Sequence, residues 1–368
     1  MKALILSCNT GQGHNTAGRA MLEHLQERNI SCEMKDALLF AGERVSRVVS
    51  GSYINVATKA PQFFHFLYWA GGGISSSKIK SVVYLANKGY AKALGTYIEE
   101  NGFDTVLLPH LFPAEALTSL RRKGNLSARC YAIATDYTCI PFWEETELDG
   151  YFIPHEDLRD EFIKKGIPEE KLFATGIPVS KRFCRPVEAD NVRKDLQIPT
   201  DGKMLLVMSG SMGFGAVSNL TEKLAGICHP ADRIFVLGGS NEPLKRELRQ
   251  KFGADPRVKV LDFTDQVPAY MGACDVLFTK PGGLTSTEAA ARNVPLIHTA
   301  PIPGCETINA AFFSSRGMSL CAKDESEAVA CAERLLADKE ACEKMKAAQR
   351  QEIHADAGDR ICDFLLKG

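Results

Sequence analysis

The chain reads as an α/β protein built from two Rossmann-like domains, each a parallel sheet covered by helices. Three observations predict this. Runs of Val, Ile, Leu and Phe alternate with helical stretches from end to end, the pattern of parallel strands joined by crossover helices. Each half opens with an apolar strand that runs into a glycine-rich turn. At 368 residues the chain is too long for one ordinary core and suits two domains of roughly 170 residues.

In the first half, strands are expected at Ala3 to Ser7, Ser31 to Asp36, Thr105 to Pro109 and Arg129 to Thr135. The turn after the first strand, C-N-T-G-Q-G-H-N-T-A-G from Cys8 to Gly18, opens the helix of Arg19 to Arg28. The alternation breaks at T-G-I-P-V-S, Thr175 to Ser180, a Pro-containing segment followed by polar residues, and the interdomain linker is expected there. Strands resume at Met204 to Ser209, Arg233 to Gly238, Val258 to Asp262, Val276 to Thr279 and Pro295 to His298, with a second glycine-rich turn from Ser209 to Ala216. Ligands of such sheets bind outside the carboxyl ends of the strands, so these loops should line a cleft between the domains.

Composition narrows the function classes. Hydrophobic content of 45% with 24% charged residues is ordinary for a globular protein, and a net charge of −1 argues against a general nucleic-acid binder, whose phosphate contacts need a basic excess. The 12 cysteines are scattered, with no C-x-x-C pair and no Cys/His cluster at zinc spacing, as expected of small buried hydrophobes in a reducing compartment. Met1 leads straight into the first strand without a signal-peptide pattern, and no apolar run approaches the ~18 residues that a membrane span needs. A cytoplasmic location is expected.

The segment D-V-L-F-T-K-P-G-G-L-T-S-T-E-A-A-A-R-N-V-P, Asp275 to Pro295, carries the strongest chemical signal. A short strand passes through paired glycines into a helix, so backbone amides at the helix N-terminus can approach phosphate oxygens with no side chain in the way. Lys280 adds a full positive charge, Thr285, Ser286 and Thr287 add hydroxyls, and Glu288 lies far enough along to accept both hydroxyls of a ribose on the same diphosphate. The plainer alternative is a glycine turn capped by Thr285 or Ser286 with Glu288 as partner. A dinucleotide reading of the first loop is weak, because Thr16 stands where the fingerprint wants its third glycine. The G-x-x-x-x-G-K-[ST] pattern of P-loop hydrolases is absent.

K-P-G-G-L-T-S-T-E-A followed by P-L-I-H-T-A-P-I-P-G-C-E-T-I-N-A resembles the donor-site signature of the diacylglycerol glycosyltransferases and monogalactosyldiacylglycerol synthases. G-x-G-H at Gly11 to His14, A-T-D-Y at Ala134 to Tyr137 and T-G-I-P at Thr175 to Pro178 continue the likeness in the same order. The resemblance implies a GT-B fold with an acceptor-binding, membrane-associating domain at 1–178, a UDP-sugar-binding domain at 179–352 and a C-terminal helix at 353–368 that packs back on the first. It also implies inverting transfer of a hexose from a UDP-sugar to a lipid hydroxyl, most plausibly diacylglycerol, with no metal or other cofactor. The lipid-linked N-acetylglucosaminyl transferase of peptidoglycan synthesis is a more distant relative.

Under that resemblance His14 is the candidate base, because it sits on the loop after the first strand and an imidazole titrates near neutrality. Asp136 orients it or binds the acceptor; a turn-forming role before Tyr137 stays open. Lys280, Gly282, Gly283, Leu284, Thr285, Ser286 and the loop of Ser209, Gly210, Ser211 and Gly213 hold the leaving diphosphate, with Glu288 on the ribose. Glu306 and Asn309 face the donor sugar and its phosphates. Gly239, Asn241 and Phe263 surround the uracil, although Phe263 fits a core position equally well. Two residues depart from the family pattern: Cys305 replaces a Gln that can bond sugar hydroxyls, and Ile140 replaces a His.

From Arg44 to Ile98 the chain has seven Lys or Arg and no Asp or Glu, and the same window holds P-Q-F-F-H-F-L-Y-W-A. Basic residues with interfacial aromatics suit an anionic membrane surface, at the inner face of the plasma membrane. Packing of those aromatics in the first core is the alternative. Two other functions remain in view: a nucleotide-sugar epimerase of the same fold, and a non-catalytic UDP-sugar sensor.

Overall fold

The computed structural model describes residues 1–9, 12–44, 81–209 and 217–367. The chain divides into two compact units: Met1–Lys181 with Pro303–Cys305 and His354–Gly368, and Arg182–Ile302 with Glu306–Ile353.

In the first unit, strands β1 (Lys2–Ser7), β2 (Ser31–Asp36), β3 (Thr105–Leu108), β4 (Arg129–Ile133), β5 (Gly150–Ile153) and β6 (Leu172–Ala174) form a sheet in the order β2-β1-β3-β4-β5-β6. Every pairing is parallel. Central strands are apolar on both faces because helices cover both: β3 and β5 are buried throughout, whereas the edge strand β2, S-C-E-M-K-D, stays partly exposed. The helix Gln12–Glu27 lays Ala17, Met21 and Leu25 against this sheet.

The C-terminal helix Ala357–Lys367 belongs to the same unit, burying Ile361, Cys362 and Leu365 in one core with Ala3, Ile5, Met21, Leu25 and Phe152. Burying three such side chains contributes roughly 1.5–3 kcal/mol for each full-sized one. An ionic cluster fixes the angle: Asp359 meets Arg28, Lys181 and the buried His24, whose Nδ1 lies 3.1 Å from its carboxylate. Gly358 is required for this approach, since a Cβ there would stand 2.4 Å from the His24 ring.

In the second unit, β7 (Met204–Met208), β8 (Arg233–Leu237), β9 (Val258–Leu261), β10 (Val276–Thr279), β11 (Leu296–His298) and β12 (Leu320–Cys321) form a parallel sheet in the order β12-β11-β10-β7-β8-β9. Asp275 ties the start of β10 to its neighbours by accepting from the Met204 amide at 2.7 Å and from Arg193 at 2.6 Å.

Strand order reverses between β1 and β3 in one sheet and between β7 and β10 in the other. At such a switch point adjacent loops leave in opposite directions and open a crevice at the strand ends. The candidate residues of each unit follow those strands.

Candidate functional site

In the first unit, loops after β1, β3 and β4 converge on His14, in the opening turn of the helix Gln12–Glu27. Its Nδ1 lies 2.8 Å from the carbonyl oxygen of Pro109 and 2.9 Å from the Thr135 hydroxyl. A carbonyl can only accept, so Nδ1–H donates and Nε2 is left as the basic nitrogen. Burial lowers the His14 pKa below its ordinary value, and the nearby Asp136 charge and the Pro109 bond oppose that shift in part. The ring is therefore neutral at pH 7 and able to take a proton.

Asp136 is half-buried on the loop after β4 and acts on His14 through its charge, while the orienting bonds come from Pro109 and Thr135. Glu161 pins that loop by accepting from the Thr138 hydroxyl at 2.6 Å and the Cys139 amide at 2.9 Å. Ile140 follows it, half-buried.

In the second unit, Lys280 leaves the end of β10 and Gly282 caps the helix Gly283–Ala291. That helix has no side-chain cap and no acid in its first turn, so its leading amides and partial positive charge face outward. Among the described residues, a Cβ built on Gly282 meets nothing within 4 Å, so they leave the space over the helix end open. Asn309 holds the loop from behind, donating from Nδ2 to the Pro281 carbonyl at 3.1 Å. Glu288, two turns in, is only 6% exposed, and Leu284 is buried. A pocket at the ends of β7, β10 and β11 is lined by Met208, Ser209, Lys280, Thr299, Ala300 and Lys323 among others.

Several side chains stand differently from the sequence expectation. Ser286 is fully buried and its hydroxyl lies 2.9 Å from Nε2 of His298, which removes it from the hydroxyls available to a phosphate. Ser319 bonds the other His298 nitrogen, and burial pushes the His298 pKa down to about 3. Thr287 turns back to the Gly283 carbonyl at 2.7 Å, which leaves the half-buried Thr285 as the first-turn hydroxyl that reaches outward. Lys280 and Glu306 form an ion pair, and the other Glu306 oxygen accepts from the Ile302 amide at 2.9 Å. Cys305 opens the helix Cys305–Ser315 that carries Glu306 and Asn309.

Phe263 is 88% exposed, which rules out the core alternative and leaves its ring available for stacking. Gly239 takes the left-handed φ of 58° after β8, and Asn241 caps the helix Glu242–Phe252 by accepting from the Leu244 amide at 3.0 Å. Ser209 donates its hydroxyl to the Leu237 carbonyl at 3.0 Å. Gly210, Ser211, Gly213 and Gly11 lie outside the described residues, as does 45–80 of the basic, aromatic window. Lys88 and Lys92 from that window are exposed on the surface. Among the described residues, no helix is long and apolar enough to cross a membrane.

Sequence reasoning missed His110, Thr135, Lys323 and Ala300. Ala300 has φ of 45°, a left-handed strain that costs a non-glycine residue on the order of 1–2 kcal/mol and is concentrated at functional loops. Of these, His110, in H-L-F-P directly after an apolar run, and Thr135, inside A-T-D-Y, carried a legible signal.

Residues 14–179 match the family model for monogalactosyldiacylglycerol (MGDG) synthase, and residues 189–352 match that for glycosyl transferases group 1. The processive diacylglycerol beta-glucosyltransferase of Bacillus cereus (strain AH187) is 28% identical over 372 residues, covering 99% of this chain and 93% of the relative. Among solved structures, the glycotransferase of kitacinnamycin aligns over 100% of this chain and 98% of its own, with a TM-score of 0.66 and 13% identity. UDP-GlcNAc 2-epimerase from Neisseria meningitidis, bound to UDP-GlcNAc, aligns over 100% of both chains with a TM-score of 0.62 and 14% identity. The two parallel sheets and these matches define a glycosyltransferase of GT-B fold. In its first half the chain resembles the monogalactosyldiacylglycerol synthases and in its second half the group 1 glycosyl transferases, and diacylglycerol beta-glucosyltransferases align with it along nearly its whole length.

Proposed function

We propose that this enzyme transfers a hexose from a UDP-sugar to a lipid hydroxyl, most plausibly that of diacylglycerol, with inversion at the anomeric carbon. The observation that carries the donor half is the uncapped helix start at Gly282 beside Lys280, at the switch point of the second sheet. Amides of Gly283, Leu284 and Thr285 take the pyrophosphate, Glu288 takes the ribose hydroxyls, and the Phe263 ring stacks on the uracil. Arrival of the diphosphate draws Lys280 from Glu306, which is then released toward the sugar.

In the acceptor half, Nε2 of His14 takes the proton of the lipid hydroxyl as its oxygen attacks the anomeric carbon. The bond from that carbon to the UDP oxygen breaks, and both electrons leave with UDP. Negative charge grows on the pyrophosphate during this step, where amide dipoles and Lys280 oppose it without reorganising. The Asp136 carboxylate stabilises the imidazolium formed on His14. The Thr285 hydroxyl, the helix amides and Lys280 supply this stabilisation, and the proposed step uses no metal.

The name of the relative supports a lipid acceptor, and the basic window from 44 to 98 supports a protein that works at the anionic inner membrane surface. Labelled UDP-glucose or UDP-galactose, incubated with the protein with and without diacylglycerol vesicles, tests the whole reading. Label in the lipid fraction supports transfer. Label in an isomeric UDP-sugar identifies an epimerase, and unchanged label identifies a sensor.

A further inference from the structure

His110 has no part in the chemistry above, yet it is buried against the proposed base. It caps the helix Leu111–Arg121, and its Nδ1 accepts from the Phe112 amide at 3.1 Å. Its ring centroid lies 4.7 Å from that of His14 in an edge-on arrangement and 4.6 Å from that of Phe112. Only 6% of the residue is exposed. Helix caps are ordinarily Ser, Thr, Asp or Asn, so capping alone does not call for an imidazole.

We propose that His110 is a positioning residue for the transfer reaction, a neutral ring that wedges His14 against Pro109 and Thr135 and keeps Nε2 its basic nitrogen. The inference rests on the reading of His14 as the base.

The cap is what makes the ring suitable. Accepting the Phe112 amide occupies the nitrogen that a second proton would need, so charging His110 means breaking the cap. Burial and the adjacent His14 also hold the His110 pKa well below its ordinary value. Among the described residues, the titratable groups facing His14 are thus Asp136, from the loop after β4, and His110, from the loop after β3, while Pro109 and Thr135 present neutral oxygens. When His14 takes the acceptor proton, it meets one carboxylate and, among the described residues, no competing cation. An aspartate cap at 110 would serve the helix equally well, but its charge would hold His14 protonated and stop it acting as a base.

The test compares wild type with His110→Asn and His110→Asp, both good caps, so the fold is retained. His14 is followed by 15N imidazole shifts through a pH titration of the full chain, beside the pH dependence of kcat/KM with UDP-glucose and diacylglycerol vesicles. We expect His110→Asn to lower kcat ten- to hundred-fold with the KM for UDP-glucose within twofold. The His14 midpoint and the acid limb should move together to higher pH as water reaches the ring, and further in His110→Asp. Wild-type His14 shifts and pH profile in both variants would reduce His110 to a cap and overturn the proposal. His14→Ala, run in parallel, separates the two readings: full activity there removes the base assignment and this role with it, whereas an inactive His14→Ala beside an unaffected His110→Asn removes this role alone.

Discussion

Replacing Gly282 with alanine should separate the demands of the fold from those of the ligand. The backbone at Gly282, φ −69° and ψ 136°, is one that alanine adopts freely, and the added methyl meets no atom of the described residues within 4 Å. Alanine restricts the unfolded chain, which stabilises by about 0.4–1 kcal/mol, while a cap position favours glycine over alanine by a similar amount. The two effects nearly cancel, so the unfolding free energy should stay within about 1 kcal/mol of wild type. Binding behaves differently, because a phosphate oxygen must come within about 2.9 Å of an amide nitrogen, and the methyl occupies the open approach to those amides. Losing one or two charge-assisted hydrogen bonds, at about 1.5–3 kcal/mol each, weakens UDP binding by roughly tenfold to more than a hundredfold. Thermal unfolding and calorimetric titration with UDP read the two quantities. A variant that binds UDP as tightly as wild type would refute the placement of the pyrophosphate at this helix.

Three further outcomes follow from the same geometry. Because burial lowers the His14 pKa from 6.5, and the neutral ring is the base, the acid limb of kcat/KM should lie below pH 6.5 and activity should persist through neutrality; a limb above that value would contradict the assignment. Ser286→Ala should lower stability by about 1 kcal/mol through the lost His298 bond and leave UDP affinity within about twofold, whereas Thr285→Ala should do the reverse, as denaturant melts and UDP titrations would reveal. The Asp359 pKa is lowered to about 2 even though burial opposes the shift, because its bonds to Arg28 and His24 outweigh desolvation. Its contribution is present above the ordinary carboxylate value and fades as pH falls toward 2. A third of that side chain is exposed, so screening limits the contribution to about 1 kcal/mol. Asp359→Asn should therefore be less stable than wild type at pH 6 and equal to it near pH 2.

The strands of both sheets were legible where an apolar run marked them, as in K-A-L-I-L-S and R-I-F-V-L. Strands β5, β6 and β12, of 4, 3 and 2 residues, were missed, although β3, β10 and β11, of 4, 4 and 3 residues, were legible, so length alone does not account for the miss. The phosphate-binding character of K-P-G-G could be read from residue types, since it resides in the backbone and needs only glycine and a helix start. Side-chain direction could not. Thr285 and Ser286 are adjacent hydroxyls in sequence, but successive helical residues are turned by about 100°, so one faces outward and the other meets His298 in the core. The pairing of Lys280 with Glu306, 26 positions apart, and the convergence of His14, Pro109 and Thr135 are products of strand order that no local pattern encodes.

Where the pyrophosphate sits decides the whole mechanism, so a crystal structure of the protein with UDP tests it most directly. The prediction is phosphate oxygens against the amides of Gly283, Leu284 and Thr285, with the ribose hydroxyls on Glu288 and Lys280 drawn from Glu306. A nucleotide bound elsewhere, with the Lys280–Glu306 pair intact and the helix end bare, would contradict it.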